Sequence, residues 1–211
     1  MPVIHRGTTD ETYEAIIADL AYRYEHVFSV ETIRAAVQEA KATLESPARI
    51  PDFVPVLVER HAREQLRAAA QAEGKIVKTV PELLFVCVQN AGRSQMAAAL
   101  TRHHAGGRVH VRSAGSAPSG QILSSVIEAL AEQGITLDEA FPKPLTGDVV
   151  RAADVIVTMG CGDACPVLPG RRYEDWAVSD PDGLPLAQVR EIRNDIERRV
   201  RVLLDDILED S

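Results

Sequence analysis

The sequence is short of several things, and each shortage closes off a class of protein. It has no apolar run of the roughly 18 residues that a membrane helix needs, so no transmembrane span is expected. It carries only three cysteines in 211 residues. An odd, small number without a secretion signal argues against a disulfide framework and leaves those cysteines for chemistry. It has no excess of positive charge: 23 Lys and Arg against 31 Asp and Glu give a net charge of −8. That balance disfavours nucleic acid as a partner and gives no long-range pull on an oxyanion. Any affinity for an anion must be local. There is no internal repeat and no low-complexity tract. The first twenty residues hold Asp10, Glu11 and Glu14 and lack a signal-peptide core, so the expected compartment is the cytoplasm.

What is present centres on Leu83–Met96, LLFVCVQNAGRSQM. Leu83-Leu84-Phe85-Val86 is an apolar run of strand length. Cys87 follows, then five residues, then Arg93 and Ser94, and then a run of helix formers from Gln95 to Leu100. The order strand, tight loop, helix gathers backbone N–H groups and a helix N-terminus around one small volume that favours an anion. Donors that hold an oxyanion also stabilise a sulfur anion, so the loop suits a nucleophilic thiolate. Arg93 adds a planar fork matched to a tetrahedral oxyanion.

This Cys-x5-Arg-Ser loop near the start of an α/β unit resembles the phosphate-binding loop of low-molecular-weight tyrosine phosphatases and of the arsenate reductases that share their fold. Two details resemble the reductases more. The phosphatases usually continue Arg-Ser with Pro, whereas this chain reads Ser94-Gln95-Met96-Ala97. They also usually carry a second Cys just before the Arg, where this chain has Gly92. The likeness covers roughly residues 81–211.

Residues 1–75 are expected to form a small three-helix bundle. Thr8 and Glu11 have capping-box spacing ahead of Tyr13, Ile16, Ile17, Leu20, Tyr24 and Val27. Ser29 caps a second helix carrying Val30, Ile33, Val37, Ala40 and Leu44, ended by Pro47, with Pro51 in the link beyond it. A third helix, about 54–72, turns Leu57, Val58, His61 and Leu66 inward, and Gly74 ends it. The bundle resembles the helical extensions in front of actinobacterial members of the reductase family.

Residues 80–211 alternate strand and helix, which predicts a parallel sheet covered on both faces. Strands are expected at 83–86, around Val109 and Val111 up to Ser113-Ala114-Gly115, at 154–158 and at 173–177. Helices are expected from the loop to about His104, over 124–133, 146–152 and 186–208. His103 and His104 sit where they would meet the negative end of their helix. The fold class is therefore α/β: a parallel four-stranded sheet flanked by helices, of low-molecular-weight phosphatase type, preceded by the bundle. The site belongs at the carboxyl end of the first strand, and Ser113–Ser116 is expected to pack beside it.

A second informative stretch is Met159-Gly160-Cys161-Gly162-Asp163-Ala164-Cys165-Pro166. Zinc is disfavoured, because no second Cys pair or nearby His completes a ligand set. Gly160 and Gly162 loosen the segment, which suits thiol exchange better than structural burial. Residues four apart on a helix have β-carbons ~5–6 Å apart, and a disulfide needs ~3.8 Å. A Cys161–Cys165 bond would therefore require local unwinding. Cys165-Pro166-x-x-Pro169 resembles the end of the redox segment in thioredoxin-coupled reductases, with a shorter spacing between cysteines than in the best-known members. Further on, Ser179-Asp180-Pro181 reads by composition as a turn. In both families an Asp-Pro in this region supplies the general acid.

The resemblance implies an arsenate reductase. Arsenate would be held by Val88, Gln89, Asn90, Ala91, Gly92, Arg93 and Ser94, with Asn90 fixing the loop and Ser94 holding the Cys87 thiolate. Cys87 would attack arsenic and Asp180 would protonate the departing oxygen. By analogy Cys161 attacks next and Cys165 resolves, although the residues themselves leave the order of these two open. Electrons would come from thioredoxin or another thiol donor, and no bound cofactor or metal is implied. The alternatives are a tyrosine phosphatase, which needs neither Cys161 nor Cys165, and a catalytically silent oxyanion-binding module.

Overall fold

The computed structural model describes residues 9–45, 54–137, 140–160 and 166–209. The chain divides into two units, Met1–Val77 and Lys78–Ser211.

The first unit contains α1 (Thr9–Arg23), α2 (Val30–Glu45) and α3 (Val54–Ala72), each packed on the other two. Helical spacing makes its core: Tyr13, Ile17 and Leu20 from α1, Ile33, Val37, Ala40 and Leu44 from α2, and Val58, Ala62 and Leu66 from α3 are buried. His61 is buried among them, as its place on the apolar face predicts. Ser29 caps α2 by accepting the Thr32 N–H at 3.2 Å. After α3, Gly74 takes φ 69° while Lys75 N–H reaches Ala70 O at 2.8 Å, a Schellman stop. Two expectations need correction. The apolar spacing of α1 continues to Val27, but the helix ends at Arg23 and the chain turns, with His26 at φ 67°. Val30 stands half exposed in the first turn of α2, so the buried stripe begins at Ile33. Thr8, Pro47 and Pro51 lie outside the described residues.

In the second unit β1 (Glu82–Cys87), β2 (His110–Gly115), β3 (Val155–Thr158) and β4 (Arg172–Asp175) form one sheet in the order β2-β1-β3-β4. Every pairing is parallel. β1 lies inside the sheet and is buried at every position, which is why it reads as an unbroken apolar run. Leu83, Phe85 and Cys87 join one core with Val111, Val155 and Val157. The same core takes in α4 (Arg93–Ala105), α5 (Ser124–Ala131) and α7 (Leu186–Glu209). The alternate residues Leu84, Val86 and Ile156 are buried too, and α6 (Gly147–Ala152) packs against β1. Burying each such Leu, Ile or Val contributes about 1.5–3 kcal/mol. α4 packs on β1, β2 and α7, so Ala97, Ala98 and Ala99 are all buried and small side chains let these layers close.

β1 is one residue longer at each end than the apolar run. Glu82 opens it although fully buried, because His110 (2.6 Å) and Arg112 pair with its carboxylate. Cys87 closes it. The strand expected at 173–177 runs instead from Arg172 to Asp175. Trp176 comes next and packs its ring against Phe85, with centroids 5.8 Å apart. His104, in the last turn of α4, also bonds Glu197 of α7 at 2.9 Å. Among the described residues no helix is long and apolar enough to cross a membrane.

Candidate active site

The site grows out of the junction between β1 and α4. Cys87 is the last strand residue, 88–92 form the loop, and Arg93 opens the helix. The segment after β2 stitches the loop down from outside. N–H groups of Ser116, Ala117, Ser119 and Leu123 donate to the carbonyls of Cys87, Val88, Gln89 and Ala91 at 2.9–3.2 Å. In a trans peptide C=O and N–H point in opposite directions, so drawing the carbonyls outward turns the amide edge inward. One such amide is seen at work: Asn90 N–H donates to Cys87 Sγ at 3.2 Å. Successive inward amides make an anion nest.

Asn90 adopts φ 50°, the left-handed conformation that asparagine tolerates better than most residues. Its side chain accepts the Lys143 N–H at 2.8 Å and donates to Ser94 Oγ at 2.7 Å. Ser94 Oγ lies 2.9 Å from Cys87 Sγ. Cys87, Asn90 and Ser94 are all buried, so the sulfur sits in a small polar pocket with two hydrogen-bonding neighbours.

Arg93 and Asp180 meet across 87 residues of sequence, with Nη2 donating to Oδ2 at 2.6 Å. The guanidinium side chain is 11% exposed and the carboxylate 52%. The Asp182 N–H bonds the other carboxylate oxygen at 3.2 Å, the side-chain turn expected of Asp ahead of Pro181-Asp182-Gly183. The turn aims the carboxylate at Arg93.

Glycines set the clearances. A β-carbon on Gly115 would lie 2.6 Å from Val88 O and 2.9 Å from Asn90 N, so the strand end next to the loop admits no side chain. One on Gly92 would come 2.6 Å from Pro181 Cγ. Gly160, at φ 73°, leaves room for Arg93, whose Nη1 would lie 2.8 Å from a β-carbon there.

The structure thus brings together Cys87, Asn90, Gly92, Arg93, Ser94 and Asp180. Val88, Gln89 and Ala91 form the remaining loop, half-buried, exposed and buried in turn. Cys161 and Cys165 lie outside the described residues; Gly160, next to Cys161 in the chain, lies against Arg93. The sequence marks Gln95 only as standing where the phosphatases carry Pro, and gives no sign of its partner Phe141 or of Lys143; for the 116–123 segment the nearest signal is the Ser113–Ser116 stretch. Among the described residues no three His, Cys, Asp or Glu side chains gather as a metal site.

A cysteine ending a central parallel strand, an arginine opening the next helix and a carboxylate facing that arginine define a phosphatase-type oxyanion loop. Residues 82–211 match the low molecular weight phosphotyrosine protein phosphatase family, and the chain belongs to that family. Residues 14–70 match the protein-tyrosine-phosphatase-like N-terminal domain. The chain is similar to the solved Corynebacterium glutamicum thioredoxin-dependent arsenate reductase. Identity is 44%, covering 95% of this chain and 98% of that one, with a TM-score of 0.83. It is 39% identical over 132 residues to a Halobacterium salinarum protein named as an inferred arsenate reductase, 60% of this chain and 93% of that one. It is 30% identical over 129 residues to the glutaredoxin arsenate reductase of a Synechocystis species, 60% of this chain and 98% of that one.

Proposed function

We propose that the protein reduces arsenate to arsenite through Cys87 and a cysteine relay restored by thioredoxin in the cytoplasm. The observation that carries this is the 44% identity with the thioredoxin-dependent Corynebacterium glutamicum enzyme, which spans 98% of that chain and so takes in both units. The relatives' names favour reduction over ester hydrolysis, and the Cys87 pocket and the Arg93–Asp180 pair supply what the first step needs.

Arsenate enters the loop, where inward amides and Arg93 hold its oxygens and displace the Asp180 carboxylate from the guanidinium edge. The Cys87 thiolate attacks arsenic. The arsenic–oxygen bond to the leaving hydroxyl breaks, and Asp180, which takes up a proton from solvent once released from Arg93, passes it to that oxygen, so water departs. Cys161 then attacks Cys87 Sγ. The sulfur–arsenic electron pair stays on arsenic, which leaves as arsenite, reduced by two electrons, and a Cys87–Cys161 disulfide remains. Cys165 attacks Cys161 and frees Cys87. The Cys161–Cys165 disulfide passes its oxidation to a dithiol such as thioredoxin, which at about −270 mV is reducing enough for the task.

The test is arsenate-dependent NADPH consumption with purified protein, thioredoxin and thioredoxin reductase. Turnover is expected in the wild type and lost in Cys87→Ser and Cys165→Ser. Hydrolysis of an aryl phosphate that persists undiminished in a Cys161→Ala/Cys165→Ala variant, with no arsenate turnover, would assign the phosphatase activity instead.

A further inference from the structure

The hydrogen bonds around Cys87 have a direction, and the groups that set it stand outside the oxyanion loop. Gln95, 1% exposed in the first turn of α4, places Nε2 3.0 Å from Asn90 Oδ1 and 2.9 Å from the carbonyl oxygen of Phe141. Lys143 N–H points at the same Asn90 Oδ1 from 2.8 Å. Side-chain amides can be placed either way round in a structure, but backbone groups cannot. Lys143 N–H only donates, so the Asn90 atom facing it is the oxygen. Phe141 C=O only accepts, so the Gln95 atom between it and Asn90 Oδ1 is the nitrogen.

Elimination fixes the remaining roles. With Oδ1 turned to Lys143 and Gln95, Asn90 presents Nδ2 to Ser94 Oγ at 2.7 Å, and an amide NH2 can only donate. Ser94 Oγ therefore accepts on that side, and its single proton is left for Cys87 Sγ, 2.9 Å away. The sulfur receives two donors, the Ser94 hydroxyl and the Asn90 N–H.

We infer that Gln95 is a positioning residue for the nucleophile: with the 141–143 backbone it locks the Asn90 amide in the orientation that makes Ser94 a donor to Cys87. Each hydrogen of Gln95 Nε2 meets a carbonyl-type acceptor, so the residue at 95 must be a double donor. A carboxylate of the same shape would set acceptor against acceptor. Proline, the residue usual here in the phosphatases, could supply no donor at all. The inference rests on Cys87 being the nucleophile of the proposed reaction, and Gln95 itself touches neither sulfur nor substrate.

The test uses the full chain with Cys161 and Cys165 changed to Ser, so that alkylation by iodoacetamide reports Cys87 alone. Gln95→Met, which keeps length and loses both donors, is expected to slow alkylation at pH 7 about fivefold or more, with unfolding temperature lowered only modestly. Ser94→Ala should slow it similarly. Because Gln95 acts through Ser94, the Ser94→Ala/Gln95→Met double variant should be no slower than Ser94→Ala beyond a factor of two. A residue that merely fills space would give effects that multiply. Should Gln95→Met fail to fold, Gln95→Glu carries the test under the same criteria. Wild-type alkylation rates in the position-95 variant, or multiplying effects in the double variant, would overturn the inference. The assay needs no arsenate, so rapid alkylation that depends on Gln95 in a protein inactive on arsenate would defeat the proposed function and leave this inference standing.

Discussion

Asn90 does three jobs with one side chain and one strained backbone. Its φ of 50° turns its N–H onto Cys87 Sγ, and its amide links Ser94 on one side to Lys143 and Gln95 on the other. That conformation is possible only because Gly115 is empty where a β-carbon would strike Val88 O and Asn90 N. Gly115→Ala is therefore expected to push the loop off its amide geometry. The overpacking should destabilise the protein by about 1–3 kcal/mol, several degrees in unfolding temperature. Arsenate turnover should fall at least tenfold, because misplaced donors no longer fit the oxyanion. A thermal melt and the coupled assay check both; an alanine variant with full turnover would show that the contact does not set the loop.

At the scale of elements, α4 is pinned between the sheet and α7, and α7 is tied back by charged groups as well as by its apolar face. Glu197 of α7 takes hydrogen bonds from His104 at 2.9 Å, Gln133 at 3.1 Å and Arg201 at 2.8 Å. Burial alone would raise its carboxyl, but the bonds from Arg201, Gln133 and His104 outweigh it and hold the group below the usual carboxylate range. A carboxyl lowered in the folded state stabilises the fold above its unfolded value and loses that contribution as pH falls through its folded one. Glu197→Gln should therefore cost about 1 kcal/mol at pH 7, and the difference should shrink as pH falls through the lowered folded-state value. Urea unfolding followed by Trp176, the single tryptophan, reports this unit specifically. A difference independent of pH would contradict the assignment.

The strand, loop and helix at 83–105 were legible because their signals are local: an apolar run, a Cys-x5-Arg-Ser spacing and a run of helix formers. Asp180 needed the family resemblance, since its composition says only turn. Gln95 with Phe141, Asn90 with Lys143, and Arg93 with Asp180 pair residues 46, 53 and 87 positions apart. Periodicity and short motifs carry no record of such contacts. The end of α1 at Arg23 was missed for the opposite reason. Its apolar spacing runs on to Val27, and nothing local marks His26 as the residue that takes φ 67°.

For the whole molecule, a net charge of −8 gives no long-range pull on an oxyanion, so the proposed substrate has to be held by local groups. The outcome is then decided after binding, where the two family chemistries part. A phosphatase ends with water on the cysteinyl adduct; a reductase ends with a disulfide. The decisive measurement is a single turnover of fully reduced protein with one equivalent of arsenate and no thioredoxin, with free thiols then trapped and the peptides mapped by mass. A relay through the three cysteines should yield one arsenite per chain, a Cys161–Cys165 disulfide and Cys87 recovered as a thiol, with Cys165→Ser arrested as a Cys87–Cys161 disulfide. Three free thiols and no arsenite, from a sample whose Cys87 still alkylates, would contradict it.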